Sequence, residues 1–224
     1  MATKKKLTKV SKKTTKKKLT KTAKRHNQEI KELVQTPQEN EDYEKYRWFY
    51  TSERKLVIGG KNAEQNESIV KELIESKKDY VVMHTKSPGS PFAIIKSENP
   101  SAKDLEETAI FTASFSRAWK LGAKKAVIDI FKSKQIYKKE EMKTGTFGVS
   151  QPIERQVVEL KLYLTTQRGK LRAVPYTKKD SITIIPGKVP KERFAEQISV
   201  KMEVPYEEAL NALPTGNFDF HSSK

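Results

Sequence analysis

The first 25 residues hold eleven lysines and one arginine and no carboxylate, so +12 of the chain's formal +17 is concentrated in one terminal arm. Everything from His26 onward nets +5, from 33 basic and 28 acidic residues. Leu7, Val10 and Leu19 are the arm's only aliphatic residues beyond alanine and Met1. So unbalanced a segment has too little apolar surface to repay the entropy of ordering, and residues 1–27 are expected to be disordered when free. Its partner is expected to be a polyanion. Lysines release condensed counterions from nucleic acid, which gives sequence-independent, salt-sensitive attraction. A membrane partner is not expected, because the arm lacks an apolar face to embed.

The arm also explains a hydrophobic fraction of 35%, low for a globular chain of 224 residues. No apolar run reaches the roughly 18 residues needed to span a bilayer, and no signal-peptide core is evident. With no cysteine, disulfides and cysteine-based zinc or redox sites are excluded. The expected location is the cytoplasm.

Residues 28–43 read as a linker rich in Gln, Glu and Asn. The folded part opens on the aromatic cluster Tyr46, Trp48, Phe49 and Tyr50, followed by a strand at Leu56–Ile58 and the turn Gly59-Gly60. Asn62 is placed to cap a helix with apolar residues Ile69, Val70, Leu73 and Ile74. Runs 80–83 and 92–95 read as adjacent strands around an exposed loop dense in turn formers. Ser101 opens a second helix, with acids Asp104, Glu106 and Glu107 early, Arg117 and Lys120 late, and Gly122 as its stop. Strands are expected over 126–131 and 157–164, the latter alternating Val158, Leu160, Leu162 and Leu164 inward. A strand over 182–185, a helix from Pro190 and a short helix after Pro205 complete the chain. The fold class is α+β: a mixed or antiparallel sheet with two or three packed helices. The expected divisions are 44–180 for the main domain, 181–218 for a strand–helix extension and 219–224 for a polar tail.

Catalytic signatures are sparse. His84 is the one histidine in a plausible site, and a lone histidine makes no metal centre. The Gly-x-Ser-x-Gly elbow and the phosphate loop ending Gly-Lys-Ser/Thr are both absent. The chain is therefore expected not to be an enzyme and to need no cofactor. Gly59-Gly60-Lys61 admits two readings: a plain turn before a capped helix, or a turn where backbone, Lys61 and the helix N-terminus meet a phosphate. The loop after His84 is likewise either a connection or a surface carrying Lys86, Ser87 and Ser90. Trp48, Phe49 and Trp119 are either stacking platforms or core.

Taken in order, Trp48-Phe49, the run from Gly59 to Glu67, His84 with Gly89-Ser90-Pro91, and Ala113-Ser114 with Ser116-Arg117-Ala118-Trp119 resemble the NFACT-R domain. The resemblance covers roughly residues 44–150, and Ile185–Lys188 and Leu213–Gly216 resemble the C-terminal extension of standalone, archaeal-like members. It implies an RNA-binding module of ribosome quality control that works on the large ribosomal subunit or tRNA. It also assigns one surface to Lys61, Asn62, Gln65, Asn66, His84, Lys86, Ser87, Ser90, Ser114, Ser116 and Arg117. Thr144–Gly148, Pro152 and Glu154 depart from the glycine-rich pattern of full-length members. Their catalytic-like N-terminal domain and coiled-coil arms have no counterpart here, so tail synthesis is not expected of this chain alone. The expected partner is therefore rRNA or tRNA; a general DNA/RNA binder, an enzyme acting on nucleic-acid ends through His84, and an adaptor for an acidic protein are the alternatives.

Overall fold

A computed structural model describes residues 43–221; the arm over 1–27 and nearly all of the linker lie outside the described residues. The strands are β1 (Arg47–Tyr50), β2 (Leu56–Gly59), β3 (Val81–Thr85), β4 (Ala93–Ile95), β5 (Lys125–Lys132), β6 (Ile136–Tyr137), β7 (Gly148–Val149), β8 (Glu154–Glu159), β9 (Leu162–Gln167), β10 (Lys170–Val174), β11 (Ile182–Val189) and β12 (Phe218–Phe220). The helices are α1 (Ala63–Glu75), α2 (Ala102–Ser114), α3 (Arg117–Lys120), α4 (Lys191–Met202) and α5 (Tyr206–Ala212). Six strands form one sheet in the order β1-β2-β4-β3-β5-β8, and four form a second in the order β10-β9-β11-β12. All their pairings are antiparallel, so the α+β expectation holds and its antiparallel form is the one adopted.

The unbroken apolar runs in β3 and β4 follow from burial of the large sheet on both faces, since successive strand residues point to opposite sides. Trp48, Ile58, Val82, Ile94 and Phe131 pack with Ile69, Val70 and Leu73 of α1. Their neighbours Phe49, Val57, Met83, Ile95 and Ile130 join Phe111 of α2, Trp119 and the second sheet. Asn62 caps α1 as expected, its Oδ1 accepting from Gln65 N at 2.9 Å. Ser101 and Asp104 form a capping box at the start of α2.

Two expected elements are each split in the structure. The helix predicted to run from Ser101 to Gly122 breaks at Phe115, and Ser116 restarts it as α3 by accepting from Ala118 N at 3.1 Å. The same hydroxyl donates back to Ala113 O at 2.6 Å. The strand predicted over 157–164 is two strands, because the chain leaves the first sheet after Glu159 and enters the second at Leu162. Val158 is only partly buried, and Val157 stands 66% exposed on the outer strand β8.

Two polar clamps hold these layers together. In the first, Asp104 and Glu107 are buried and accept from the β1–β2 turn: Thr51 Oγ1 donates to Asp104 at 2.6 Å and Ser52 N to Glu107 at 2.7 Å. In the second, the Gln167 side chain takes Tyr50 N and gives to Tyr50 O, both at 2.8 Å, which ties β1 to the second sheet.

Candidate nucleic-acid interface

One end of the large sheet opens into a cleft of about 820 Å³, where the turn before α1, the loop after β3, the start of α3 and the segment 144–149 converge. Each wall has a local reason. Gly60 has no room for a side chain, since a Cβ there would lie 2.6 Å from Asn66 N. Gly89 has φ +104° and its carbonyl accepts from Arg117 N at 2.7 Å, which pins the His84 loop to α3. Its missing Cβ would stand 3.1 Å from that of Arg117.

The cleft brings together Lys61, Asn62, Asn66, His84, Lys86, Ser90, Ser116 and Arg117 from the sequence-predicted set. It does not include Gln65, Ser87 or Ser114. Gln65 is spent on the turn, accepting from Lys61 N at 3.0 Å and donating to Lys45 O at 3.3 Å. Ser87 is exposed, with its carbonyl accepting from Thr85 Oγ1. Ser114 is wholly buried, its hydroxyl without a partner among the described residues.

Among the residues that do converge, several build the frame. Asn66 accepts from Phe92 N at 3.1 Å, Ser90 Oγ accepts from Thr85 N at 3.0 Å, and Ser116 is committed to its cap. Those left facing the cleft are chiefly cations. Arg47, Lys61, Lys86, Arg117 and Lys120 line it against one carboxylate, Asp129, which Arg155 Nε already holds at 2.6 Å. The N-terminus of α1, with its outward N–H groups, adds to the positive potential.

His84 packs against Phe92 with ring centroids 4.5 Å apart and planes tilted by 35°, and its Nδ1 lies 2.7 Å from Thr85 O. Only a protonated ring nitrogen can face a carbonyl, so Nδ1 donates and Nε2 is left as an acceptor. Burial pulls the ring below its ordinary pKa of 6.5, opposed by the Thr85 hydrogen bond and the charge of Asp129. His84 is therefore neutral at pH 7. The Ser90 and Ser116 hydroxyls bond Thr85 N and Ala113 O rather than this ring.

Arg47 is not in the sequence-predicted set, and residues 144–148 enter the sequence reading only as a departure from the family's glycine-rich pattern. Glu67 anchors that segment: its carboxylate accepts from Lys138 Nζ at 2.8 Å and Gly145 N at 2.7 Å and pairs with Lys71 at 3.1 Å. Gly145, at φ +73°, sits where a Cβ would come 2.6 Å from Ala63 O. The Lys138 hydrogen bond, followed by those from Gly145 and Lys71, outweighs burial and lowers the Glu67 pKa from 4.5 to about 2. A carboxylate with a depressed folded pKa stabilises fully above its unfolded value and stops doing so as pH falls through the folded one. Glu67→Gln is accordingly expected to cost about 2 kcal/mol at neutral pH. In urea titrations across pH, the gap between wild type and variant should hold above pH 4.5 and close as pH falls through about 2.

Residues 45–151 match the family described as the NFACT protein RNA binding domain. This segment is an NFACT-R domain. The chain is 40% identical over 115 residues to the archaeal Rqc2 homolog aRqcH of Methanocaldococcus jannaschii, a match taking in 48% of this chain and 16% of that one. It is 41% identical over 80 residues to the ribosome quality control complex subunit NEMF homolog of Drosophila melanogaster, covering 34% of this chain and 8% of the relative. The solved C-terminal part of the fibronectin/fibrinogen-binding protein from Streptococcus suis aligns at a TM-score of 0.43 and 22% identity, over 51% of this chain and 44% of that one. The NFACT-R domain supplies every residue lining the cleft except Thr215.

Proposed function

We propose that this protein binds RNA of the translation machinery, on the large ribosomal subunit or as tRNA, in ribosome-associated quality control. The observation that carries the reading is the cleft of the NFACT-R domain, with five cations facing a single carboxylate that is already paired. Cations without carboxylate partners are available to phosphates, which position a nucleic acid, while His84 Nε2 and Asn62 lie alongside as groups able to read a ribose or base edge. The name of the Drosophila relative places that protein in a ribosome quality control complex. The protein acts here as a cytoplasmic binding module rather than a catalyst: the Ser90 and Ser116 hydroxyls are engaged with backbone and are not presented to the His84 ring as nucleophiles.

The test uses the full chain with Arg117→Glu and, separately, Lys86→Glu. Binding to structured RNA and cosedimentation with purified large subunits are measured across a salt series. For an Arg117→Ala control, the slope of log affinity against log salt should fall by about one. The charge reversals should abolish cosedimentation at about 150 mM salt, where weak surface attraction is screened. Wild-type behaviour in both reversals would sink the reading, and equal affinity for duplex DNA would make the protein a general nucleic-acid binder.

A further inference from the structure

Behind Arg47 and Lys61, on the side away from His84, lies a second recess of about 350 Å³. Its lining also includes Trp48, Phe115, Lys170 and Arg172, the last two from β10, which lies beyond the NFACT-R segment. The Arg172 guanidinium lies 3.9 Å over the Trp48 ring, and that of Arg47 lies 4.6 Å over Phe115. Flat cations held on aromatic faces keep their edges for other partners.

Those edges are incompletely satisfied. Arg172 Nη1 donates to Leu171 O at 3.0 Å, but its Nε is buried with no partner among the described residues. Trp48 Nε1 is in the same condition, on a side chain only 2% exposed. Buried polar groups in native proteins nearly always find a partner, so orphan donors on two side chains that line one recess point to an acceptor that belongs beside them. The recess has two carboxylates, and both are committed. Glu44 pairs with Lys170, and Glu208 accepts from Leu171 N. Both also act on Arg172 through their charge, so Arg47 and Lys61 are the recess cations left without an acid among the described residues. Burial, joined by the charges of Arg47 and Arg172, lowers the Lys61 pKa, and burial takes that of Arg47 down to about 10. An anion in the recess would relieve both effects.

We propose that this recess is a phosphate-binding subsite, taking a phosphate mono- or diester between Arg47, Lys61 and Arg172, with Trp48 Nε1 and Arg172 Nε as donors. A tetrahedral group with several acceptor oxygens matches guanidinium forks approaching from two sides. Because Arg47 and Lys61 also wall the cleft, a strand lying in the cleft can deliver one of its phosphates here; a free phosphate offers the same chemistry. The subsite rests on the RNA reading only for the source of its phosphate.

The test follows the Trp48 indole N–H and the Arg172 Nε–H by ¹H–¹⁵N NMR in the full-length protein. Inorganic phosphate is titrated in one arm and a short RNA with a 5′-phosphate in the other, at constant ionic strength with chloride as the control. The expected result is a saturable shift of both signals in at least one arm, with affinity about tenfold or more weaker in Arg172→Gln. Arg172→Lys, which retains charge without the fork, should also weaken it and serves if the glutamine variant folds poorly. The phosphate arm contains no strand, so a shift there is read separately from RNA binding in the cleft. A shift with inorganic phosphate alone assigns a free-ion or nucleotide source, and a shift with the RNA assigns the strand. Signals that move in neither arm, or that move equally in chloride, overturn the subsite.

Discussion

Trp119→Ala is expected to lower the unfolding free energy by about 3–5 kcal/mol, the range for truncating a buried aromatic. Trp119 is fully buried, its ring lies 5.5 Å from Phe218, and its Nε1 donates to Asn217 O at 3.1 Å. Alanine would leave a cavity between α3 and the last strand, together with a carbonyl deprived of its donor. Gly216 shows how closely these parts meet, since a Cβ there would stand 2.7 Å from Lys120 Cα. The surroundings have little freedom to collapse into the gap. Urea denaturation should show a lower midpoint at unchanged slope, with the melting temperature down by roughly 10 °C. A loss under about 1 kcal/mol would mean that the closing turn and α3 lie outside the cooperative core.

Deleting residues 1–27 is expected to produce the largest change in nucleic-acid affinity. The segment removes twelve basic residues and no acidic ones. If about half of them reach phosphates, the salt slope falls by roughly 4 to 5, and affinity at 50 mM drops by on the order of a thousandfold. Wild type and truncation should converge toward 200 mM, where the arm's counterion release is worth less. Anisotropy with a structured RNA over that salt range is sufficient. Parallel slopes would show that the arm touches no phosphate. The binding that survives truncation reports the cleft alone, and charge reversal at Arg117 should remove it.

Local signals carried well from sequence to structure. Asn62 and Ser101 cap the helices they were expected to cap, because a short side chain reaching its own N3 amide depends on nothing distant. The strands around 80–83 and 92–95 were legible from composition. Breaks in long patterns were less so. Ser116 is a good N-cap residue within an apparently continuous helix, and its hydroxyl turns that competence into a restart by accepting from Ala118 N while donating back to Ala113 O. The inward leucines from 160 to 164 read as one strand because the pattern continues unbroken while the pairing partners change. Asp104 and Glu107 read only as acids that complement the helix dipole; their burial depends on Thr51 and Ser52, more than 50 residues away.

The candidate site was half legible. The glycine turn, the His84 loop and the Ser116–Arg117 step do meet, but sequence could not separate frame from contact surface. Asn66, Ser90 and Gln65 look like ligand-facing polar residues until their hydrogen bonds are traced. Arg47 sits inside an aromatic run that reads as core. The Glu67–Gly145 bond spans 78 residues and has no local trace beyond a glycine.

The boundary of the shared segment and the boundary of cooperative folding do not coincide. The NFACT-R match stops at residue 151, yet the core containing Phe49, Phe111 and Trp119 continues through Leu162, Leu171, Phe194 and Phe218. Cut at 151, that face would keep α2 but lose the second sheet and α4, which complete its apolar core. What descent transmits as a unit is thus smaller than what thermodynamics recognises as one, and any chain carrying such a segment must bring its own cover for that face. Divergence among relatives should therefore concentrate in the cover, where many sequences serve, while the cleft side keeps its glycines.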